Sequence, residues 1–172
     1  QYANAWHSKG VALGGLGKHD EAIKAFDQAI SINPQDAKAW YNKGIALNGL
    51  GKYDEAIKAY DQAISINPQY ANAWHSKGVA LGGLGKYDEA LQALDQAISI
   101  NPQYAEAWYI RGVVLGILGK YDEAIQAFDQ AISIDPKLAE AWKVKGVALR
   151  ALGRTSEADA AFAKAEELEN TT

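Results

Sequence analysis

The chain has no cysteine and no methionine among its 172 residues. Without thiols it can hold no disulfide, no thiolate nucleophile and no cysteine-based zinc site, and such a composition suits a reducing, cytoplasmic setting. Runs of basic residues are missing as well. The 17 Lys and Arg are scattered among 21 Asp and Glu, for a net charge of −4, so the concentrated basic face of a nucleic-acid binder is not expected. No apolar stretch reaches the roughly 18 residues of a membrane span, and no charged-then-apolar leader opens the sequence. Proline is scarce, with four residues in all, and the spacing of those four is informative.

Pro34, Pro68, Pro102 and Pro136 are each 34 residues apart, and so are Trp6, Trp40, Trp74, Trp108 and Trp142. Counting from three residues before each tryptophan divides the chain into five repeats, 3–36, 37–70, 71–104, 105–138 and 139–172. The first and third repeats differ at only five positions: His19/Tyr87, Ile23/Leu91, Lys24/Gln92, Phe26/Leu94 and Asp36/Tyr104. A period of this length is the mark of an array in which each unit is one supersecondary element.

Within a repeat the pattern predicts helix, turn, helix. In the second, Trp40, Gly44, Leu47 and Leu50 fall at spacings near three and four, as on one helical face. Gly51-Lys52-Tyr53 breaks that face, and Asp54 is expected to cap a second helix with Glu55 at its positive end. Ile57, Tyr60 and Ile64 then give the second apolar face, and Pro68 stops it. No useful stretch alternates with period two, so the fold class is all-α. One hairpin of this size cannot bury its apolar face alone; stacking on neighbours is obligatory.

These residues resemble the signature of the tetratricopeptide repeat, which the match covers from residue 3 to 172. The family's small residue at position 8 is Gly10, Gly44, Gly78, Gly112 and Gly146, and its Ala at position 20 is Ala22, Ala56, Ala90, Ala124 and Ala158. The aromatic at position 24 is Phe26, Tyr60, Phe128 and Phe162, with Leu94 the exception, and position 27 is Ala29, Ala63, Ala97, Ala131 and Ala165. The resemblance implies a right-handed α-solenoid superhelix of antiparallel helix pairs, read as a single domain over 1–172, that acts as a protein-interaction scaffold and not as an enzyme. Position 7, usually Leu in the family, is here Lys9, Lys43, Lys77, Arg111 and Lys145. Either these stems pack while their charges reach water, or the cations pair with the repeated Asp27, Asp61, Asp95 and Asp129.

The ends differ. Position 21, Ile or Leu in four repeats, becomes Asp159, and position 28, Ile in four repeats, becomes Glu166. Positions seven apart share a helical face, so this acidic side is expected to close the array. The first repeat carries no such cap and Gln1-Tyr2 echoes the close of a repeat. Further repeats or another domain are therefore expected before Gln1, and the uncovered first helix offers a face for self-association.

The candidate chemistry is sparse. His7 and His75 are two repeats apart, about 20 Å at helix spacings of about 8–10 Å, so they cannot share a metal; with His19 they read as surface residues. Gly-Gly-Leu-Gly-Lys at 14–18 and 82–86 lacks the earlier Gly of a phosphate loop, and His19 or Tyr87 stands where Ser or Thr is required. Asp20-Glu21 and its repeats sit at helix starts, where capping accounts for them. Ser8 and Ser76 have no base in a triad-like setting. No cofactor or metal is expected.

In proteins resembling this one, repeat positions 2, 5, 9 and 12 face a concave groove that holds a peptide or partner subunit. The candidate site residues are Asn4, Lys38, Asn72 and Glu106 at position 2, and His7, Tyr41, His75, Tyr109 and Lys143 at position 5. Val11, Ile45, Val79 and Val113 occupy position 9, Asn48 occupies position 12, and Asn42 lies beside Tyr41. Together they predict a ladder of planar side chains over an aliphatic floor, edged by amides. The Lys and Asn clamp by which some relatives hold a carboxylate-ended tail needs Asn at position 9, where this chain has only Val or Ile. The alternative to a peptide groove is a structural spacer or a solenoid that assembles end to end.

Overall fold

A computed structural model describes residues 2–171. Ten helices follow one another: α1 Tyr2–Gly15, α2 His19–Ile32, α3 Ala37–Gly49, α4 Tyr53–Ile66, α5 Ala71–Gly83, α6 Tyr87–Ile100, α7 Ala105–Ile117, α8 Tyr121–Ile134, α9 Ala139–Ala151 and α10 Thr155–Glu169. No strand occurs among the described residues. The chain falls into two compact units, Gln1–Ala93 and Leu94–Thr172, divided within α6. In the first, α1 packs on α2 and α3 on α4, and α2 and α4 are covered in turn by α3 and α5. In the second, the pairs are α7 with α8 and α9 with α10, with α9 over α8.

The turns inside each pair have a backbone cause. At the end of α3, Gly51 takes φ +72°, its N–H reaches the Asn48 carbonyl at 2.9 Å, and the Lys52 N–H reaches the Leu47 carbonyl at 3.0 Å. This left-handed closure satisfies two carbonyls at the helix end and favours glycine, which has no Cβ to clash. Gly17, Gly85, Gly119 and Gly153 repeat it at φ 73–74°. The next helix then starts on Lys52, which caps α4 without a side-chain hydrogen bond. Asp54, expected to cap, instead lies with Glu55 in the first turn of α4, where both carboxylates favour the helix's positive end. The side-chain cap is found elsewhere: Asp36 accepts from the N–H groups of Lys38 at 3.0 Å and Ala39 at 3.1 Å ahead of α3.

In four of the hairpins the helices approach closely at the position-8 glycine. A Cβ on Gly10 would lie 2.6 Å from the Phe26 ring, and one on Gly112 would lie 2.5 Å from that of Phe128. Both rings are almost fully buried, so the glycine makes the space that the ring fills.

Between repeats the contacts are equally regular. The indole N–H of Trp40 donates to the Pro34 carbonyl at 3.0 Å, that of Trp74 to Pro68 at 3.0 Å, that of Trp108 to Pro102 at 3.1 Å, and that of Trp142 to Pro136 at 3.3 Å. The shared 34-residue spacing of Trp and Pro thus records one hydrogen bond made four times. Four of the position-7 cations pair with the repeated aspartates. Lys43 reaches Asp27 at 2.7 Å, Lys77 reaches Asp61 at 2.7 Å, Arg111 reaches Asp95 at 2.7 Å and Lys145 reaches Asp129 at 2.5 Å. Each also lies over the tryptophan of its own repeat, with Lys77 5.4 Å from the Trp74 centroid, so the stem is covered while the charge is paired.

Candidate functional site

The first helices of the N-terminal unit, α1, α3 and α5, carry most of the candidate residues. On α1 and α3 the position-5 ring packs on the aromatic of the same hairpin: His7 lies edge-on to Phe26 at 5.8 Å, and Tyr41 lies 6.1 Å from Tyr60. Tyr41 also touches Tyr70 at 4.9 Å, just ahead of α5. In the C-terminal unit Tyr109 takes the corresponding place, 6.3 Å from Phe128. Each of these three rings thus packs on a buried aromatic of its own hairpin.

His7 is part of a polar network and is no simple surface residue. Asn42 donates from Nδ2 to His7 Nε2 at 3.0 Å, which leaves Nδ1 to carry the proton toward Asp36 Oδ2 at 3.2 Å. The other Asp36 oxygen caps α3, so one carboxylate ties helix start and imidazole together. Sequence reasoning missed Asp36, although the signal was present: it is one of the five positions at which the first and third repeats differ.

Two clefts open on this face. A nonpolar one of about 360 Å³ between α1 and α3 is lined by Val11, Gly14, His19, Phe26, Asn42 and Ile45, among others. Val11 is 50% exposed and Ile45 42% exposed, so both aliphatic side chains are accessible beside the buried Phe26 ring. The two glycines at 14 and 15 lower its rim, since nothing lies within 4 Å of where their Cβ atoms would stand. A second, polar cleft of about 590 Å³ is lined by Asn4, His7, Asp36 and Lys38, together with Ser8, Asn33 and Gln35. The His7–Asn42 hydrogen bond stands between the two.

The structure thus brings Val11, Asn42 and Ile45 together in one cleft and Asn4, His7 and Lys38 in the other. Asn48 is half-buried on α3, with its Oδ1 enclosed and without a hydrogen-bond partner. Asn72 is exposed on α5, with His75 and Val79 half-buried on the same helix. In the C-terminal unit Glu106 is exposed, Tyr109 and Val113 are half-buried, and Lys143 lies 3.8 Å from Glu169.

Burial dominates the titration behaviour. It pushes the Tyr60 phenol far above its ordinary value, with neighbouring Tyr41 adding to the effect and Ser76 opposing it. Burial beside Tyr41 and Asp36 pushes Tyr70 up to about 12. Tyr109 is raised by burial and by Glu140. Burial thus keeps these phenols neutral across the physiological pH range. No group of three or more metal-ligating side chains occurs among the described residues, and no described helix is long and apolar enough to cross a membrane.

Stacked helical hairpins, four of them with a Gly-aromatic contact inside the pair, and Trp-Pro contacts between pairs define a repeat scaffold. Profiles of the tetratricopeptide repeat match residues 7–71, 75–139 and 117–171, and the chain belongs to that family. Among solved structures, MamA is 29% identical with a TM-score of 0.87, over 94% of this chain and 95% of its own. TTC0263, a thermophilic TPR protein of Thermus thermophilus, is 28% identical with a TM-score of 0.77, over 96% and 91%. YrrB, a TPR protein with an unusual peptide-binding site, shares the fold at 23% identity with a TM-score of 0.77, over 96% and 85%. No curated protein sequence matches the chain.

Proposed function

We propose that this chain is a non-catalytic interaction scaffold whose N-terminal unit holds a peptide or a segment of a partner subunit against α1 and α3. The supporting observation is the nonpolar cleft between those helices, flanked by half-exposed Val11 and Ile45 and bordered by the Asp36–His7–Asn42 network. An open cleft of a few hundred Å³ with a small set of oriented polar groups is the usual form of a recognition site. The aliphatic part would take one or two apolar side chains of the ligand. On the polar side, Lys38 and Asn4 are free to meet its backbone or acidic groups. Tyr41 extends the surface toward α5, where His75 and Val79 would continue it. Along α7 and α9, Glu106, Tyr109, Val113 and Lys143 would offer the C-terminal unit's equivalent. The net negative charge and lack of a basic stripe favour protein over nucleic acid as the partner, and the cysteine-free composition suits a cytoplasmic location.

The test is selection of random dodecapeptides displayed on phage against the chain, followed by affinity measurement on the Val11→Asp/Ile45→Asp double variant. Selected peptides are expected to carry apolar anchors and to bind the variant at least about tenfold more weakly. Peptides that bind both proteins equally, or a library that yields no binder, would overturn the assignment.

A further inference from the structure

One junction of the array carries a set of polar groups that recurs at no other. Between α1 and α3 stand His7 at position 5, Asp36 at position 34 and Asn42 at position 6 of the next repeat. The later junctions have Tyr41, Tyr70 and Ser76, then His75, Tyr104 and Ile110, then Tyr109, Leu138 and Val144. The three groups of the first junction form a relay whose sense is fixed at one end. Asp36 Oδ1 caps α3 by accepting from the Lys38 and Ala39 N–H groups, and Oδ2 faces His7 Nδ1 at 3.2 Å. A carboxylate oxygen only accepts, so Nδ1 carries the imidazole proton and Nε2 is left as an acceptor. Asn42 must then turn its amide nitrogen to Nε2, at 3.0 Å, and its carbonyl Oδ1 away. Asn42 lines the nonpolar cleft of about 360 Å³, and its Oδ1 has no hydrogen-bond partner among the described residues. The other polar side chain of that cleft, His19, is packed on Gly49 with its Nδ1 enclosed.

We propose that this cleft anchors a tryptophan side chain of the bound peptide, with the indole N–H donating to Asn42 Oδ1. The inference rests on the groove reading above and names the side chain that the groove selects. The walls are apolar and come from two helices, Val11, Gly14 and Gly15 on α1 and Ile45 and Ala46 on α3, with the buried Phe26 ring beneath. The glycines offer bare backbone to a flat ring, since nothing stands within 4 Å of where their Cβ atoms would be. An indole matches this surface, being a large planar apolar body with one donor and no acceptor. Under a purely aliphatic ligand the carbonyl would lose its water without compensation, which selects against Leu or Ile. Asp36 and His7 are positioning residues. Neither touches the indole, and together they set which end of the Asn42 carboxamide faces it.

The test uses indole and benzothiophene, bicyclic rings of like outline with and without an N–H. Each is titrated into the ¹⁵N-labelled chain at about pH 8.5, well above the ordinary imidazole value. Both are expected to shift the amides of Gly14, Gly15, Ile45 and Ala46, with indole bound roughly three- to tenfold more tightly through its one added hydrogen bond. Asp36→Asn then reverses the relay without touching the cleft. Asn caps a helix as well as Asp does, so the single side-chain oxygen stays on the α3 amides and the amide nitrogen donates to His7 Nδ1. His7 moves its proton to Nε2, Asn42 turns its carbonyl to that proton, and its amide nitrogen faces the cleft. The ¹⁵N shifts of the two His7 ring nitrogens are expected to exchange, and the preference for indole to disappear. Equal binding of the two fragments at the cleft would overturn this proposal and leave the groove standing, whereas no shift at the cleft from either would remove both. A His7 tautomer that does not reverse in Asp36→Asn, or an indole preference that survives the reversal, would also overturn it.

Discussion

Two glycines in one helix should respond oppositely to the same substitution. Gly112 and Gly116 both lie in α7, four residues apart and so near each other on the helix surface. A Cβ at Gly112 would sit 2.5, 2.7 and 2.9 Å from three atoms of the Phe128 ring, against a favourable carbon separation of about 3.5–4.0 Å. Phe128 is 2% exposed and cannot retreat without moving its neighbours. Overpacking of this kind costs about 1–3 kcal/mol, which exceeds the roughly 1 kcal/mol that Ala gains over Gly in a helix. Gly116 has nothing within 4 Å of the same atom, so there the helix gain of about 0.5–1 kcal/mol is kept. Urea unfolding followed by circular dichroism should therefore place the midpoint of Gly112→Ala below that of the parent and the midpoint of Gly116→Ala above it. Equal shifts, or stabilisation by both, would refute the reading of the position-8 glycine as space for a ring.

Removing the Tyr60 hydroxyl, which is buried and makes no well-formed hydrogen bond, should leave stability unchanged or raise it by about 1 kcal/mol in Tyr60→Phe; a loss larger than that in the same unfolding assay would mean the hydroxyl is satisfied. Alkali should unfold the protein through its raised phenols. With the folded Tyr70 at about 12 against an ordinary 10.0, the unfolded chain loses its proton first. Stability is thus fully present below pH 10 and lost as pH climbs through 12, and Tyr60→Phe/Tyr70→Phe should flatten that decline in calorimetry across pH 9–12. A double-mutant cycle on Lys77 and Asp61, with side chains 22% and 47% exposed, should give a coupling of only about 0.5–1 kcal/mol that shrinks in about 1 M salt. Trp74→Phe should cost about 1–2 kcal/mol by losing the bond to Pro68 and the cation contact with Lys77, again read from the urea midpoint.

Repeat length, helix order and the all-α class could be read directly because each rests on periodicity, which local sequence carries in full. The small-residue contacts were legible for the same reason: the glycine recurs with every repeat and its aromatic partner in four of the five, and steric pairing follows from size alone. Caps were read less well. Asp54 looked like the start of α4, but the left-handed turn at Gly51 places Lys52 at the cap and draws the acids into the first turn. The cation at position 7 left two readings open, since a single stem can be covered and its charge paired at once; only the placement of Asp61 relative to Lys77 decides that. The least legible part was the site. His7 is 29 residues from Asp36 and 35 from Asn42, and their hydrogen bonds depend on the packing of α1 against α3. Val11 and Ile45 are identical in type to residues at the same repeat position elsewhere in the array, so nothing in their own identity marks them.

The measurement that bears most directly on the scaffold assignment is a map of amide chemical-shift changes in the ¹⁵N-labelled chain on titration with a phage-selected peptide. Changes concentrated at Gly10–Gly15 and at Asn42–Ala46, with smaller ones at His7 and Lys38, are the predicted result. Changes confined to the second helices, around Glu21–Gln28 or Glu55–Gln62, would contradict it and place recognition on the opposite side of each hairpin.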